Sequence, residues 1–178
     1  YAVCERSYAS FCGCEKAFYF VTGFVANYAL FTGLVHRHDA IIFDELIHAS
    51  AKEGIHASGA KHYKVRHNDL DAFADALRRA RAAGAAKLWL AVESVYSMDG
   101  DRAPIAELAD LARAHDAMLV VDEAPASGFL GPSGRGLAED GMGRVVALFC
   151  VLDGHFKRLR VLVGPVDGVQ AQCSSDRF

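Results

Sequence analysis

The 178-residue sequence predicts an α/β fold with a mostly parallel sheet flanked by helices. Two short apolar runs, Leu88–Val92 and Met118–Val121, have the length of buried strands. Between them, Pro104 and apolar residues at helical spacing indicate a helix. A strand, a helix and a strand in this order form a parallel crossover unit whose strands are buried on both faces. Strands and helices also alternate elsewhere, which extends the pattern to a whole domain.

The other elements follow in chain order. Residues 1–17 show no clear period and are predicted to be a loop or a frayed helix. Asn68 or Asp69 caps the clearest helix, and Gly84 ends it. The predicted helices, besides the one that begins at Pro104, are 25–35, 49–58 and 70–83. The further predicted strands are 18–20, 40–43, 61–65, 145–152 and 161–163, with 153–160 as a connection.

Composition limits the classes of function. Hydrophobic residues make up 52% and charged residues 23%, which is typical of a globular domain. The net charge of −3 argues against a broad nucleic-acid surface. The apolar runs are shorter than the roughly 18 residues that a membrane span requires. We therefore expect that the protein does not bind nucleic acid and does not span a membrane.

Cysteine and histidine usage favours a cytoplasmic protein without a metal site. Five cysteines without zinc spacing indicate a reducing compartment rather than a disulfide framework. Cys12 and Cys14 leave open a short metal or redox pair. His36 and His38 are also paired, but no third ligand follows at useful spacing. The expectation is that no metal is bound.

Polar residues follow the predicted strands, where ligands bind in open parallel sheets. Asp122 ends a wholly apolar strand, so burial disfavours its charged form unless a cation, such as a protonated cofactor ring, lies opposite. His48 has a flat ring able to stack on an aromatic cofactor, and Ser97 could donate to a ring oxygen. The step from Thr22 to Gly23 before a helix offers backbone N–H groups to a phosphate. The alternatives stay open: a capped turn, a locally packed histidine, a turn serine and an ordinary helix start.

Five segments occur in the order and approximate spacing of one family: Thr22-Gly-Phe24, Asp44-Glu-Leu-Ile-His-Ala-Ser50, His67-Asn-Asp69, Glu93-Ser-Val-Tyr-Ser-Met-Asp-Gly-Asp101 and Val121-Asp-Glu-Ala124. On them the chain resembles the pyridoxal-phosphate-dependent α-oxoamine synthases of the aminotransferase class I/II fold. This family includes 8-amino-7-oxononanoate synthase, 2-amino-3-ketobutyrate CoA ligase and serine palmitoyltransferase.

The resemblance implies a truncated fold-type-I large domain and a decarboxylative condensation of an amino acid with an acyl-CoA. It divides the chain into a partial N-terminal segment (1–17), a partial pyridoxal-phosphate-binding large domain (18–166) and a tail (167–178), with the small C-terminal domain absent. It also implies a homodimer and a biosynthetic transferase.

The resemblance assigns roles at matching positions. Gly23 and Phe24 would bind the cofactor, with Phe24 near its phosphate end. His48 would stack on the pyridine ring, Ser97 would contact the cofactor, and Asp122 would pair with the pyridinium nitrogen.

Two departures from the family pattern keep an alternative open. Pro125 follows Asp122-Glu-Ala where the family usually has histidine, and proline cannot donate or accept as that side chain does. The nearest lysine to the expected Schiff-base position is Lys157, in Gly154-His-Phe-Lys157. Lys157 is therefore the candidate Schiff-base lysine of an acyltransferase. The alternative is a catalytically inactive fragment or pseudoenzyme that acts as a binding or partner subunit.

Overall fold

The computed structural model describes residues 2–12, 16–139, 145–153 and 156–163. Five helices and seven strands alternate along this part of the chain, with a short 3₁₀ helix over Leu137–Glu139. The helices are α1 (Ala2–Cys12), α2 (Gly23–Leu34), α3 (Ala49–Ala57), α4 (Leu70–Ala82) and α5 (Ile105–Ala114). The strands are β1 (Lys16–Phe20), β2 (Ala40–Asp44), β3 (Lys61–Val65), β4 (Leu88–Glu93), β5 (Ala117–Asp122), β6 (Val145–Asp153) and β7 (Phe156–Val163).

The strands form one sheet in the order β1-β7-β6-β5-β4-β2-β3. The five neighbours from β6 to β3 are all parallel, while β7 and β1 are antiparallel additions at one side. The prediction of a mostly parallel α/β sheet is confirmed. The register pairs Glu93 of β4 with Asp122 of β5, so these two strands end at the same level.

Helices cover both faces of the sheet because the strands are apolar on both sides. Alternate residues of β4, such as Leu88 and Leu90, pack with α4 and α5 in one core. The intervening residues, such as Trp89 and Ala91, pack with α2 and α3 in the other. The same alternation decides which way a polar residue at a strand end faces.

Helix boundaries follow from local capping. Asp69 caps α4 as predicted, with its side chain accepting from Ala72 N at 3.0 Å. The helix ends before Gly84, which has φ 85°. α2 begins two residues earlier than predicted, because the Thr22 hydroxyl accepts from Val25 N at 3.2 Å. Pro104 is the N-cap of α5 rather than its first residue.

Two segments differ from the prediction. Residues 2–12, predicted as a loop or a frayed helix, form the regular helix α1, whose Tyr8 and Ala9 enter the core. Residues 156–160, predicted as part of a connection, belong to β7, because antiparallel pairing with β6 begins at Phe156. The tail over 167–178 lies outside the described residues, and so does Cys14, so the expectation for Cys12 and Cys14 stays open. None of the described helices is long and apolar enough to cross a membrane.

Candidate functional site

Three carboxylates end neighbouring strands at the carboxyl edge of the sheet. They are Asp44 on β2, Glu93 on β4 and Asp122 on β5, and all three are buried. Glu93 and Asp122 continue the rows of side chains that face α2 and α3. Asp44 continues the row that faces α4 and α5. The edge therefore carries two separate polar groups, one on each face of the sheet.

Asp122 lies at the centre of the group on the α2 and α3 side, and its residue is 5% exposed. Its Oδ2 accepts from Asn27 Nδ2 at 3.0 Å, and its Oδ1 accepts from Ala124 N at 3.0 Å. Burial raises the pKa of Asp122, and these two hydrogen bonds offset part of the rise. Within the described part of the chain, no lysine, arginine or histidine forms an ion pair with it. A cation at this position would therefore stabilise the ionised form.

His48 is linked to Asp122 through two buried side chains. His48 is the N-cap of α3, and its Nδ1 lies 2.7 Å from Ser50 Oγ and accepts from Ser50 N at 3.2 Å. Ser50 Oγ accepts from Asn27 Nδ2 at 2.9 Å. Since Asn27 also donates to Asp122, the two predicted residues belong to one hydrogen-bonded chain. His48 is itself exposed.

The first turn of α2 opens at the same side of the sheet. The Thr22 side chain caps Val25 N, and the Thr22 carbonyl accepts from Ala26 N at 3.2 Å. The N–H groups of Gly23 and Phe24 belong to the helix's first turn, where no intrahelical acceptor exists. One turn further along the same helix lies Asn27. Helix α2 therefore supplies both the open first turn and, through Asn27, a hydrogen bond to the Asp122 carboxylate.

Ser97 lies in the turn after β4 and is exposed. Its backbone N–H donates to Glu93 Oε2 at 3.2 Å, while Glu93 Oε1 is buried and has no hydrogen-bond partner among the described residues. Burial raises the pKa of Glu93 to about 7, and the negative charge of Asp122 adds to the rise. A carboxyl group in such a position can donate or accept a proton near neutral pH.

Pro125 and Lys157 occupy different surroundings. Pro125 is exposed in the turn that follows Asp122. Lys157 is the second residue of β7 and pairs with Leu152 of β6. Leu152 is four residues beyond Leu148, the register partner of Asp122. The backbone of Lys157 therefore belongs to a strand that extends past the carboxylate edge, rather than to a turn beside Asp122.

A second polar group, on the α4 and α5 side, is centred on His67. Its Nδ1 lies 3.0 Å from Asp44 Oδ1, and its Nε2 lies 2.7 Å from Asp101 Oδ2. Asn68 donates from its backbone to Asp44 at 2.8 Å and from its side chain to Asp101 at 2.9 Å. Burial lowers the pKa of His67, but the hydrogen bonds to Asp44 and Asp101 outweigh it, and the net shift is upward. This group ties the turn that carries Ser97 to the end of β2.

Sequence reasoning missed Asn27, Ser50 and the role of His67. Asn27 is four residues before Phe31 on the buried face of an apolar helix, and a polar residue in such a row signals a buried partner. Ser50 and His67 lie within the segments that carry the family resemblance, but no role was assigned to either side chain. The described residues contain no group of three or more histidines, cysteines or carboxylates that could hold a metal ion.

Comparisons with known proteins point to one family. A family model described as aminotransferase class I and II matches residues 2–150. An 8-amino-7-oxononanoate synthase from Azoarcus sp. (strain BH72) is 44% identical over 136 residues, which are 76% of this chain and 34% of that protein. A 2-amino-3-ketobutyrate coenzyme A ligase from Salmonella typhimurium is 43% identical over 143 residues, or 79% of this chain and 36% of that protein.

A solved structure agrees with these relatives. It is a serine palmitoyltransferase variant from S. paucimobilis with bound PLP–myriocin aldimine, and it superimposes with a TM-score of 0.82 at 32% identity. The match covers 90% of this chain and 41% of that chain. The chain spans about a third of the length of the curated relatives that it matches.

Proposed function

The chain belongs to the aminotransferase class I and II family, and on that premise we propose that it is part of a pyridoxal-phosphate-dependent acyltransferase. The reaction is the condensation of an amino acid with an acyl-CoA, with loss of carbon dioxide, to an α-oxoamine. The names of the similar proteins support this reaction class. We further propose a cytoplasmic homodimer; the stacked and partly exposed Phe24 and Tyr28 of α2 offer it an aromatic surface.

The observation that carries the proposal is the environment of Asp122. This buried carboxylate accepts hydrogen bonds only from neutral groups among the described residues, and burial raises its pKa. A protonated pyridine nitrogen supplies the missing positive charge and an N–H donor, so the residues present fit the cofactor's ring. The open first turn of α2 fits its phosphate.

Each candidate site residue would then have a separate role in binding the cofactor. The N–H groups of Gly23 and Phe24 bind the phosphate, and Asp122 holds the proton on the ring nitrogen. His48 lies against the ring face, and Ser97 donates its hydroxyl to the ring oxygen. Lys157 is the proposed attachment lysine, which requires the start of β7 to approach the edge of the sheet. A protonated ring, when bound, accepts the electron pair released at the substrate's α-carbon.

The decisive comparison is Asp122→Asn against Asp110→Asn, with pyridoxal phosphate affinity as the readout. Asp110 is exposed on α5 and pairs with Arg113, so its replacement controls for a lost surface charge. We expect Asp122→Asn to weaken cofactor affinity about tenfold or more, because a hydrogen bond to a charged group is lost. Equal affinity in the two variants would overturn the assignment of Asp122.

Borohydride reduction and peptide mapping test the lysine separately. A reduced label on Lys157 that is lost in Lys157→Ala supports the acyltransferase. A label scattered over other lysines, or full turnover of Lys157→Ala, contradicts the role of Lys157.

Two observations favour a second candidate function, a non-catalytic subunit that binds the cofactor or a partner. Pro125 stands in the turn after Asp122, and Lys157 belongs to β7. Cofactor binding without a reducible lysine label, and without turnover on amino acids and acyl-CoAs, would select this function.

A further inference from the structure

The strongest unexplained feature of the molecule is the chain of hydrogen bonds that joins Asp122 to His48. Its two middle residues, Asn27 and Ser50, are 3% and 1% exposed. They come from different helices, α2 and α3, and 95 residues separate Asn27 from Asp122. Buried polar side chains are retained at a cost unless all their hydrogen bonds are made, so a completed chain between two site residues calls for an explanation.

The direction of each hydrogen bond can be derived from the groups involved. The Asn27 amide has two N–H bonds and donates one to Asp122 Oδ2 at 3.0 Å and one to Ser50 Oγ at 2.9 Å. Ser50 Oγ accepts from Asn27, and its own hydrogen is available to donate to His48 Nδ1 at 2.7 Å. The Ser50 backbone N–H, which can only donate, points to the same Nδ1 at 3.2 Å.

These directions determine the protonation of the histidine. Because Nδ1 accepts from the Ser50 backbone N–H, the tautomer that fits these contacts carries its hydrogen on Nε2. A neutral ring can lie against a protonated pyridine without repulsion between like charges. The same amide that sets this tautomer also holds one oxygen of the Asp122 carboxylate.

We propose that Asn27 and Ser50 are positioning residues that fix, through one buried chain of hydrogen bonds, both the orientation of the Asp122 carboxylate and the tautomer of His48. The consequence for the cofactor rests on the proposed function, whereas the consequence for His48 exists in the free protein. Neither residue touches the reacting atoms in this assignment. Asn27 suits its position because aspartate would place a second carboxylate against Asp122.

The test uses the cofactor-free protein labelled with ¹⁵N-histidine, with His48→Gln to assign the signal. Two-bond ¹H–¹⁵N correlation spectra report which ring nitrogen carries the proton. We expect His48 to carry it on Nε2, and Ser50→Ala to increase the share of the Nδ1–H form. Ser50→Thr, which retains the hydroxyl, restores the original tautomer. Ser58→Ala is the matched control, because it removes a hydroxyl at the opposite end of α3, where Ser58 Oγ donates to Ile55 O at 2.7 Å and accepts from Ala60 N at 3.2 Å.

Cofactor affinity is the second readout for the same variants. Ser50→Ala weakens pyridoxal phosphate binding about tenfold, and Ser58→Ala leaves it unchanged. A proton on Nδ1 of His48 in the original protein, or an unchanged tautomer in Ser50→Ala, overturns the proposal. If the original protein binds no cofactor while the tautomer responds as expected, the proposed function fails and the positioning role stands.

Discussion

Replacing Gly54 with alanine tests how closely the site depends on the approach of α2 to α3. A Cβ at Gly54 would lie 2.9 Å from Asn27 O and 3.0 Å from Tyr28 Cα. Both are backbone atoms of α2, so the contact is relieved only if the two helices move apart by about half an ångström. Such overpacking costs about 1–3 kcal/mol, whereas alanine in place of a helical glycine returns up to about 1 kcal/mol. Gly54→Ala should therefore lower the free energy of unfolding by about 0–2 kcal/mol.

Gly33→Ala is the matched control for this change. Gly33 is also helical, but nothing lies within 4 Å of its added Cβ, so we expect a gain of about 0.5–1 kcal/mol. Urea unfolding of both variants, compared at equal m-value, isolates the cost of overpacking. The same displacement lengthens the 2.9 Å hydrogen bond between Asn27 and Ser50, so only Gly54→Ala should also bind pyridoxal phosphate more weakly. The reasoning is refuted if Gly54→Ala gains as much stability as Gly33→Ala and keeps its cofactor affinity.

Two further predictions concern pH. Burial and the Asp122 charge raise the pKa of Glu93 to about 7, so between about pH 4.5 and 7 the unfolded state loses a proton that the folded state keeps. Glu93→Gln should therefore gain stability relative to the original protein as pH rises through this range, by on the order of 3 kcal/mol, measured by urea unfolding; a constant difference would contradict it. His67 has a raised pKa in the folded state, so its contribution is complete below about pH 6.5 and is lost as pH rises through the folded pKa. The stability deficit of His67→Gln, measured by urea unfolding, should accordingly shrink between about pH 6 and about pH 8.5, and a deficit that stays constant would contradict the reasoning.

Much of the sheet could be predicted because its strands are apolar on both faces. Leu88–Val92 and Met118–Val121 are apolar runs that identify strands without any knowledge of tertiary contacts. The helix between them has apolar residues at the spacing of a helix. The first five residues of β7 could not be predicted, because residues 156–160 include three basic side chains and become a strand only by pairing with β6. Helix α1 was predicted only as a loop or a frayed helix for a similar reason, since its helical order depends on the packing of Tyr8 and Ala9 into the core.

The candidate site divides in the same way. The position of Asp122 was predictable because it follows a wholly apolar run, and the strand register places it at the carboxyl edge of the sheet. Its role at a cofactor stays a prediction. The linked pair of Asn27 and Ser50 was not predictable, because a single asparagine in an apolar helix does not say which distant group it contacts. The separation of Asp44 from Asp122 onto opposite faces of the sheet depends on the exact last residue of each strand, which sequence patterns locate only approximately.

The pairing of β1 with β7 has a consequence for how the chain is made. Lys16 pairs with Val163, so this pairing joins the first and the last of the described strands in sequence order. Strands β2 to β5, by contrast, come from one continuous stretch of the chain. During synthesis β1 leaves the ribosome before its partner β7, which emerges only after the residues from α2 to β6 have been made. Until then β1 is a short strand with unpaired N–H and C=O groups, open to association with another nascent chain. Among the described strands, β1 is thus the one that the longest stretch of sequence separates from its neighbour in the sheet.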